Sequence, residues 1–282
     1  TTTYGVTLTP TDVWTLEGGL VFGRSTEADG TDLDRAGLSL GARYTTGEAM
    51  AAGLRAEVRR EDSTDPDSDL NRLTYLLAGT YERQTSEDWR FFASLDAVVS
   101  DSDQSSFRDG RYVEAKLGYA FRPADNDRLN ALVSYSYLED LPGADQVNID
   151  GDRDGDRQRS HILNAALSYD LTQRWTLGAK YGFRTREQAA RGTEDFTRSA
   201  AHLGVLRIDY HVVETWDLML EGRALYQPRG DVTEFGAVAG VYRHVGGNLK
   251  LGAGYAWGTV SDDLRTIDDS RAGPFINIVA TF

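Results

Sequence analysis

The chain has 282 residues, 30 Lys+Arg against 44 Asp+Glu, a net charge of −14, 29 glycines and no cysteine. The acidic balance argues against a nucleic-acid partner, since phosphate binding needs a cationic face, and the missing thiols exclude disulfides, thiolate metal sites and a cysteine nucleophile. No run approaches the roughly 18 consecutive apolar residues of a membrane helix, but strands of a membrane barrel escape that test because their apolar residues alternate with polar ones.

The chain begins at Thr1-Thr2-Thr3-Tyr4 without a charged, apolar leader, which implies a removed signal peptide or a missing upstream region. A weak strand at residues 4–8 is followed by alternation with period two in nearly every segment. Successive apolar sets read Leu16, Leu20, Phe22; Leu38, Leu40, Ala42, Tyr44; Leu54, Ala56, Val58; and Leu73, Tyr75, Leu77, Tyr81. The next segment is diagnostic: Trp89, Phe91, Ala93, Leu95, Ala97 and Val99 share one face, while Arg90, Ser94 and Asp96 share the other. Charges are costly in lipid, so the Trp89 face is the lipid face. The pattern continues through Val113 to Phe121, Leu129 to Tyr137, Leu163 to Tyr169, Trp175 to Phe183, Leu206 to Tyr210, Trp216 to Tyr226, Leu249 to Trp257 and Ile276 to Phe282. Runs of roughly 9–11 residues suit tilted strands crossing a bilayer.

Connections alternate as well. Short turns fall near 9–12, 45–48, 85–88, 123–127, 171–174, 213–215 and 245–248. Longer, acidic loops fall near 27–35, 61–71, 101–110, 139–160, 187–196, 228–233 and 261–272. Short turns at one end and long loops at the other mark the periplasmic and extracellular ends of outer-membrane barrels. Trp14, Trp89, Trp175 and Trp216 follow short turns, and Tyr44, Tyr81, Phe121, Tyr169 and Tyr210 precede them, forming a periplasmic girdle. The expected fold is all-β: a single transmembrane antiparallel β-barrel over residues 1–282, of about 14–16 strands, in a bacterial outer membrane. Fifteen strands would leave a parallel seam. One more strand upstream of Thr1 gives sixteen, and discarding residues 4–8 gives fourteen.

The last segment runs from Leu251-Gly252-Ala253-Gly254-Tyr255-Ala256-Trp257 through Ser261-Asp262-Asp263-Leu264 to Gly273-Pro274-Phe275-Ile276-Asn277-Ile278-Val279-Ala280-Thr281-Phe282. It resembles the C-terminal outer-membrane barrel of large, repeat-bearing bacterial surface proteins. Its Ile276, Ile278 and Phe282 resemble the signal read by the barrel-assembly machinery. The resemblance implies a membrane anchor for an upstream surface or periplasmic region.

Inward positions mix charge with glycine. Arg43, Arg55, Arg59, Arg90, Lys116, Lys180, Arg184, Arg207, Arg223 and Lys250 face Glu17, Glu57, Glu82, Asp96, Glu114, Asp209 and Glu221, and Gly41, Gly118, Gly178, Gly182 and Gly252 leave space inside. These residues line either a hydrated pore or an ion-pair lattice that stiffens a plugged barrel. Asp150, Asp152, Asp154 and Asp156 match the first half of a calcium loop, although its twelfth position is His161, where a carboxylate is expected. His161, His202, His211 and His244 are scattered, and no catalytic spacing emerges. Calcium is the sole cofactor expectation. The functional readings are a barrel that anchors and forms a pore for a larger surface protein, a free-standing porin for small hydrophilic solutes, and, more distantly, an outer-membrane enzyme. Expected partners are outer-membrane lipid, lipopolysaccharide and the assembly machinery.

Overall fold

The computed structural model describes residues 1–26, 32–47, 49–64, 69–102, 111–126, 128–140, 156–190, 193–213, 215–246, 249–258, 260–261, 264 and 272–280. Fifteen strands form one antiparallel sheet in sequence order. They are β1 (Thr2–Thr11), β2 (Trp14–Thr26), β3 (Asp32–Thr46), β4 (Met50–Thr64), β5 (Asp69–Gln84), β6 (Trp89–Ser102), β7 (Arg111–Phe121), β8 (Leu129–Glu139), β9 (Arg157–Asp170), β10 (Trp175–Ala189), β11 (Thr197–Val213), β12 (Trp216–Gln227), β13 (Val232–Val245), β14 (Leu249–Trp257) and β15 (Gly273–Ala280). This is the fold of an outer-membrane β-barrel. Among the described residues, β1 and β15 do not pair with each other.

The alternation in sequence becomes two faces in space. On β12, Asp217, Met219, Glu221 and Leu225 are buried while Trp216, Leu218, Leu220 and Tyr226 are exposed. Leu40, Leu54, Tyr75, Leu117, Leu167, Leu206 and Ile276 continue the exposed apolar face around the sheet. Water would penalise so large an apolar surface, whereas lipid tails match it, so this face is the outer one.

The girdle assembles by register. Trp14 opposes Tyr44, Trp89 opposes Phe121 and Trp175 opposes Tyr210. Their ring centroids lie 4.9, 4.6 and 4.4 Å apart. Cross-strand aromatic pairs of this kind each add a few tenths to about 1 kcal/mol. Trp216 instead receives the Arg243 guanidinium at 5.6 Å.

Two expectations change. The weak segment at residues 4–8 is a full ten-residue strand whose Leu8 opposes Leu16, so discarding it to reach fourteen strands fails. Several extracellular loops are also shorter than expected. Residues 61–64 extend β4, residues 69–71 open β5, and residues 157–160 open β9. Cross-strand ion pairs let these polar arms stay paired beyond the apolar zone. Arg35 Nε lies 2.9 Å from Glu61, and Arg157 Nη2 lies 3.1 Å from Glu139.

Candidate functional site

The thirteen charges expected to line the lumen lie on the face of the sheet opposite the exposed apolar one, and they divide into distinct groups. On β4, Glu57 is held between Arg55 at 3.0 Å and Arg59 at 2.6 Å, three successive inward positions. Glu17, Arg43, Arg55 and Glu82 border one inner-wall pocket of about 390 Å³ that also includes Gly41. Arg90 reaches Glu82 at 4.0 Å. Asp96 opposes Glu114 in the β6–β7 register, and Lys116 stands 5.7 Å over the Phe92 ring. Glu114 accepts a hydrogen bond from the Tyr112 hydroxyl. Lys180 sits on β10, half-buried. Arg207 donates to Asp209 at 2.7 Å, and Arg223 donates to Glu221 at 2.6 Å.

The inward glycines do not simply leave space. A β-carbon on Gly118 would stand 2.6 Å from Phe92 Cζ, and one on Gly182 would stand 2.8 Å from Leu264 Cδ1. The Tyr242 ring lies over Gly252 in the same way. These three are seats for inward side chains. Gly41 and Gly178 only meet Glu17 and Arg207 at ordinary contact distance. Period-two patterning says which way a glycine faces, not what lies over it.

The fullest part of the wall lies under β8 to β15. Leu138, Ile162, Ala201, Leu203, Val205 and Leu225 form an inner apolar cluster with Val260 and Leu264, which come from the connection between β14 and β15. Arg184, itself buried, donates to the Leu264 carbonyl at 2.9 Å and to Ser160 Oγ at 3.0 Å. Arg223 donates to the Val260 carbonyl at 3.0 Å. Two expected lumen arginines thus tether backbone rather than face open water. Gly258, with φ +79°, turns the chain off β14 at this point, where a side chain would also strike the Phe235 carbonyl. Below this cluster, Met219, Val238 and Tyr242 pack with Ala256 and Phe275.

Sequence spacing missed one constellation. His211 and His244, expected to be separate, converge on Asp217 near the short turns. The available signal was parity: all three are inward residues close to a short turn. His161 and His202 instead lie on the outer face, bonded to Tyr135 and Tyr181 at 2.7 and 2.8 Å. Within β9, His161 pairs with Tyr137 and Thr185 in the ladder. Asp156 accepts a hydrogen bond from Gln188 at 3.0 Å. Asp150, Asp152 and Asp154 lie outside the described residues, as does Phe282; Ile276 and Ile278 are exposed on the outer face of β15.

The model of the protein family described as "Putative MetA-pathway of phenol degradation" matches residues 49–201, more than half of the chain. No curated protein matches it. Among solved structures, the ferric-catecholate import receptor Fiu from E. coli K12 is similar over 90% of this chain and 56% of its own, with 10% identity and a TM-score of 0.62. The copper transporter OprC is similar over 98% and 57%, with 12% identity and a TM-score of 0.57. The alcaligin outer membrane receptor FauA from Bordetella pertussis is similar over 96% and 53%, with 12% identity and a TM-score of 0.59. The chain therefore spans little more than half the length of these proteins, and identities this low establish the outer-membrane barrel fold alone.

Proposed function

Given that the chain belongs to the family described by that phenol-degradation model, we propose that it forms an outer-membrane channel for small monoaromatic solutes carrying a polar or anionic group. One observation carries this reading: the inner wall is two-sided. Under β3 to β6 it carries exposed, ion-paired groups such as Arg55, Arg59 and Arg90. Under β8 to β15 it is packed with apolar side chains that include Val260, Leu264, Tyr242 and Phe275. The packed side narrows the passage to suit a small flat ring, and the charged side would meet its polar or anionic substituent, whereas a general porin needs only a wide hydrated lumen. The Arg and Lys residues at 43, 55, 59, 90, 116 and 180 would line the path, and Arg184 and Arg223 would hold its constriction. The role is passage, not catalysis.

Uptake of labelled benzoate into proteoliposomes tests this. Influx well above that of empty vesicles, and faster than that of a sugar of similar size, is expected. Equal rates for both solutes would make the barrel a general porin, and no flux of either would refute a channel.

A second reading, a membrane anchor within a larger surface protein, draws on the terminal likeness and on the fifteen strands, since bacterial single-chain barrels use even numbers. The mass of the protein extracted from its own outer membrane tests it. A mass well above 31.1 kDa supports the anchor, and a mass near that value refutes it. In either reading lipid and lipopolysaccharide would surround the apolar face, and the assembly machinery would read Ile276, Ile278 and Phe282.

A further inference from the structure

Four consecutive strands each contribute one inward basic or acidic group to a single point near the periplasmic turns. His211 ends β11, Asp217 opens β12, His244 ends β13 and Lys250 opens β14. Register brings the four near one another: His211 is the ladder partner of Asp217, His244 is the ladder partner of Lys250, and Asp217 opposes Tyr242, two residues before His244. Both histidines are fixed at their backbones. His211 N donates to the Arg174 carbonyl at 2.7 Å, and His244 N donates to the Thr215 carbonyl at 2.8 Å.

Asp217 is the hub, with a side chain only 10% exposed. One carboxylate oxygen meets His211 Nδ1, and the other meets His244 Nε2 at 2.8 Å and Lys250 Nζ at 2.6 Å. The His211 Nδ1, His244 Nε2 and Asp217 oxygen ligand atoms lie within 4.8 Å of one another. The two imidazole rings are 6.0 Å apart at 69°, so their nitrogens approach the carboxylate from different directions. Asp217 and His211 also border an open pocket of about 340 Å³ with Asp170, Asp209, Arg128 and Arg174, which gives solvent a route to the group.

We propose that His211, Asp217 and His244 form a binding site for a divalent transition-metal ion of the zinc class on the inner wall at the periplasmic mouth. Two imidazoles and one carboxylate are a donor set that zinc accepts, leaving a fourth position open towards the pocket. Tetrahedral donors about 2.1 Å from zinc stand about 3.4 Å apart, so a pair at the full 4.8 Å would close by about 1.4 Å. Side-chain rotation at the strand ends supplies that movement. An imidazole that binds the ion through the nitrogen now facing Asp217 carries its hydrogen on the other ring nitrogen, which leaves a lone pair for the metal. Lys250 is the built-in competitor, because its ammonium already neutralises the oxygen that the ion would take. On a flexible four-carbon stem it can withdraw with its charge intact.

Lys250 also separates a metal site from a purely structural hydrogen-bond latch. In a latch, replacing Lys250 removes one support and creates no affinity. In a metal site, the same replacement removes a competitor. The purified, folded full-length chain is titrated with zinc chloride by calorimetry and with cobalt(II) chloride by visible absorption. One ion per chain is expected, with a cobalt spectrum typical of four-coordinate nitrogen and oxygen ligands. His211→Gln and His244→Gln keep a donor to Asp217, so the barrel can fold, yet each should lose at least about tenfold in zinc affinity. Lys250→Met should bind zinc more tightly than the unaltered chain. No binding to the unaltered chain, or binding that survives the double His→Gln change, overturns the proposal, as does a Lys250→Met variant that binds no better.

Discussion

Leu264→Ala tests whether Val260 and Leu264 set the width of the proposed channel. Leu264 is 1% exposed and packs over Gly182 within the inner apolar cluster. Truncating a leucine so enclosed costs about 2–5 kcal/mol, the spread reflecting how far the site collapses around the void. At 1.4 kcal/mol per factor of ten, that raises the detached population of this foothold roughly 30- to 4,000-fold. The loss is not total, because Arg184 still donates to the Leu264 carbonyl at 2.9 Å. A charged hydrogen bond of this kind contributes about 1.5–3 kcal/mol. Adding Arg184→Met removes that second hold without cutting any strand ladder. Single-channel recording in planar bilayers should show a larger, noisier current in Leu264→Ala and a further rise in the double variant. Both should still show the heat-modifiable gel mobility of a folded barrel. Unchanged unit conductance and noise in a folded double variant would refute the inference that Val260 and Leu264 narrow the path.

Arginine at Leu95, on the outer face, should impair insertion by about 2–4 kcal/mol if the position lies near mid-bilayer, whereas Ser94→Arg on the inner face should be tolerated; folding yield into lipid vesicles measures both, and equal losses would reverse the two faces. Gly252→Ala must displace the Tyr242 ring and should destabilise the barrel by about 1–3 kcal/mol, while Gly204→Ala, whose new methyl meets nothing within 4 Å, should be near neutral in urea unfolding. If Asp150, Asp152 and Asp154 hold calcium, calorimetry should show binding that disappears in an Asp152→Ala/Asp154→Ala variant, and no heat at millimolar calcium returns that segment to a solvated loop.

Much of this architecture follows from short-range rules that any single strand obeys. Period-two alternation assigns Trp89 and Leu95 to lipid and Arg90 and Asp96 to the inside, because neighbouring side chains on a strand must point opposite ways. Alternation of short turns with long loops gives each strand its direction, and the tryptophans after the turns mark the membrane interface. Antiparallel neighbours then follow from connectivity, as in the Trp14–Tyr44 and Trp175–Tyr210 pairs. The first strand was faint in sequence only because its apolar residues, Tyr4, Val6 and Leu8, are few and separated by threonine and glycine.

What happens inside the barrel is decided by residues that meet across the chain. Arg184 reaches a carbonyl 80 residues away, and Asp217 gathers His211, His244 and Lys250 from three other strands. Alternation says that each of these faces inward, but not the height at which it sits or the side chain opposite it. Those depend on the register of every intervening hairpin. The seats at Gly118, Gly182 and Gly252 depend likewise on which large side chain leans over them. Lipid enforces the outer face one residue at a time, so sequence records it. The inner wall is a packing problem among distant strands, and only the assembled sheet solves it.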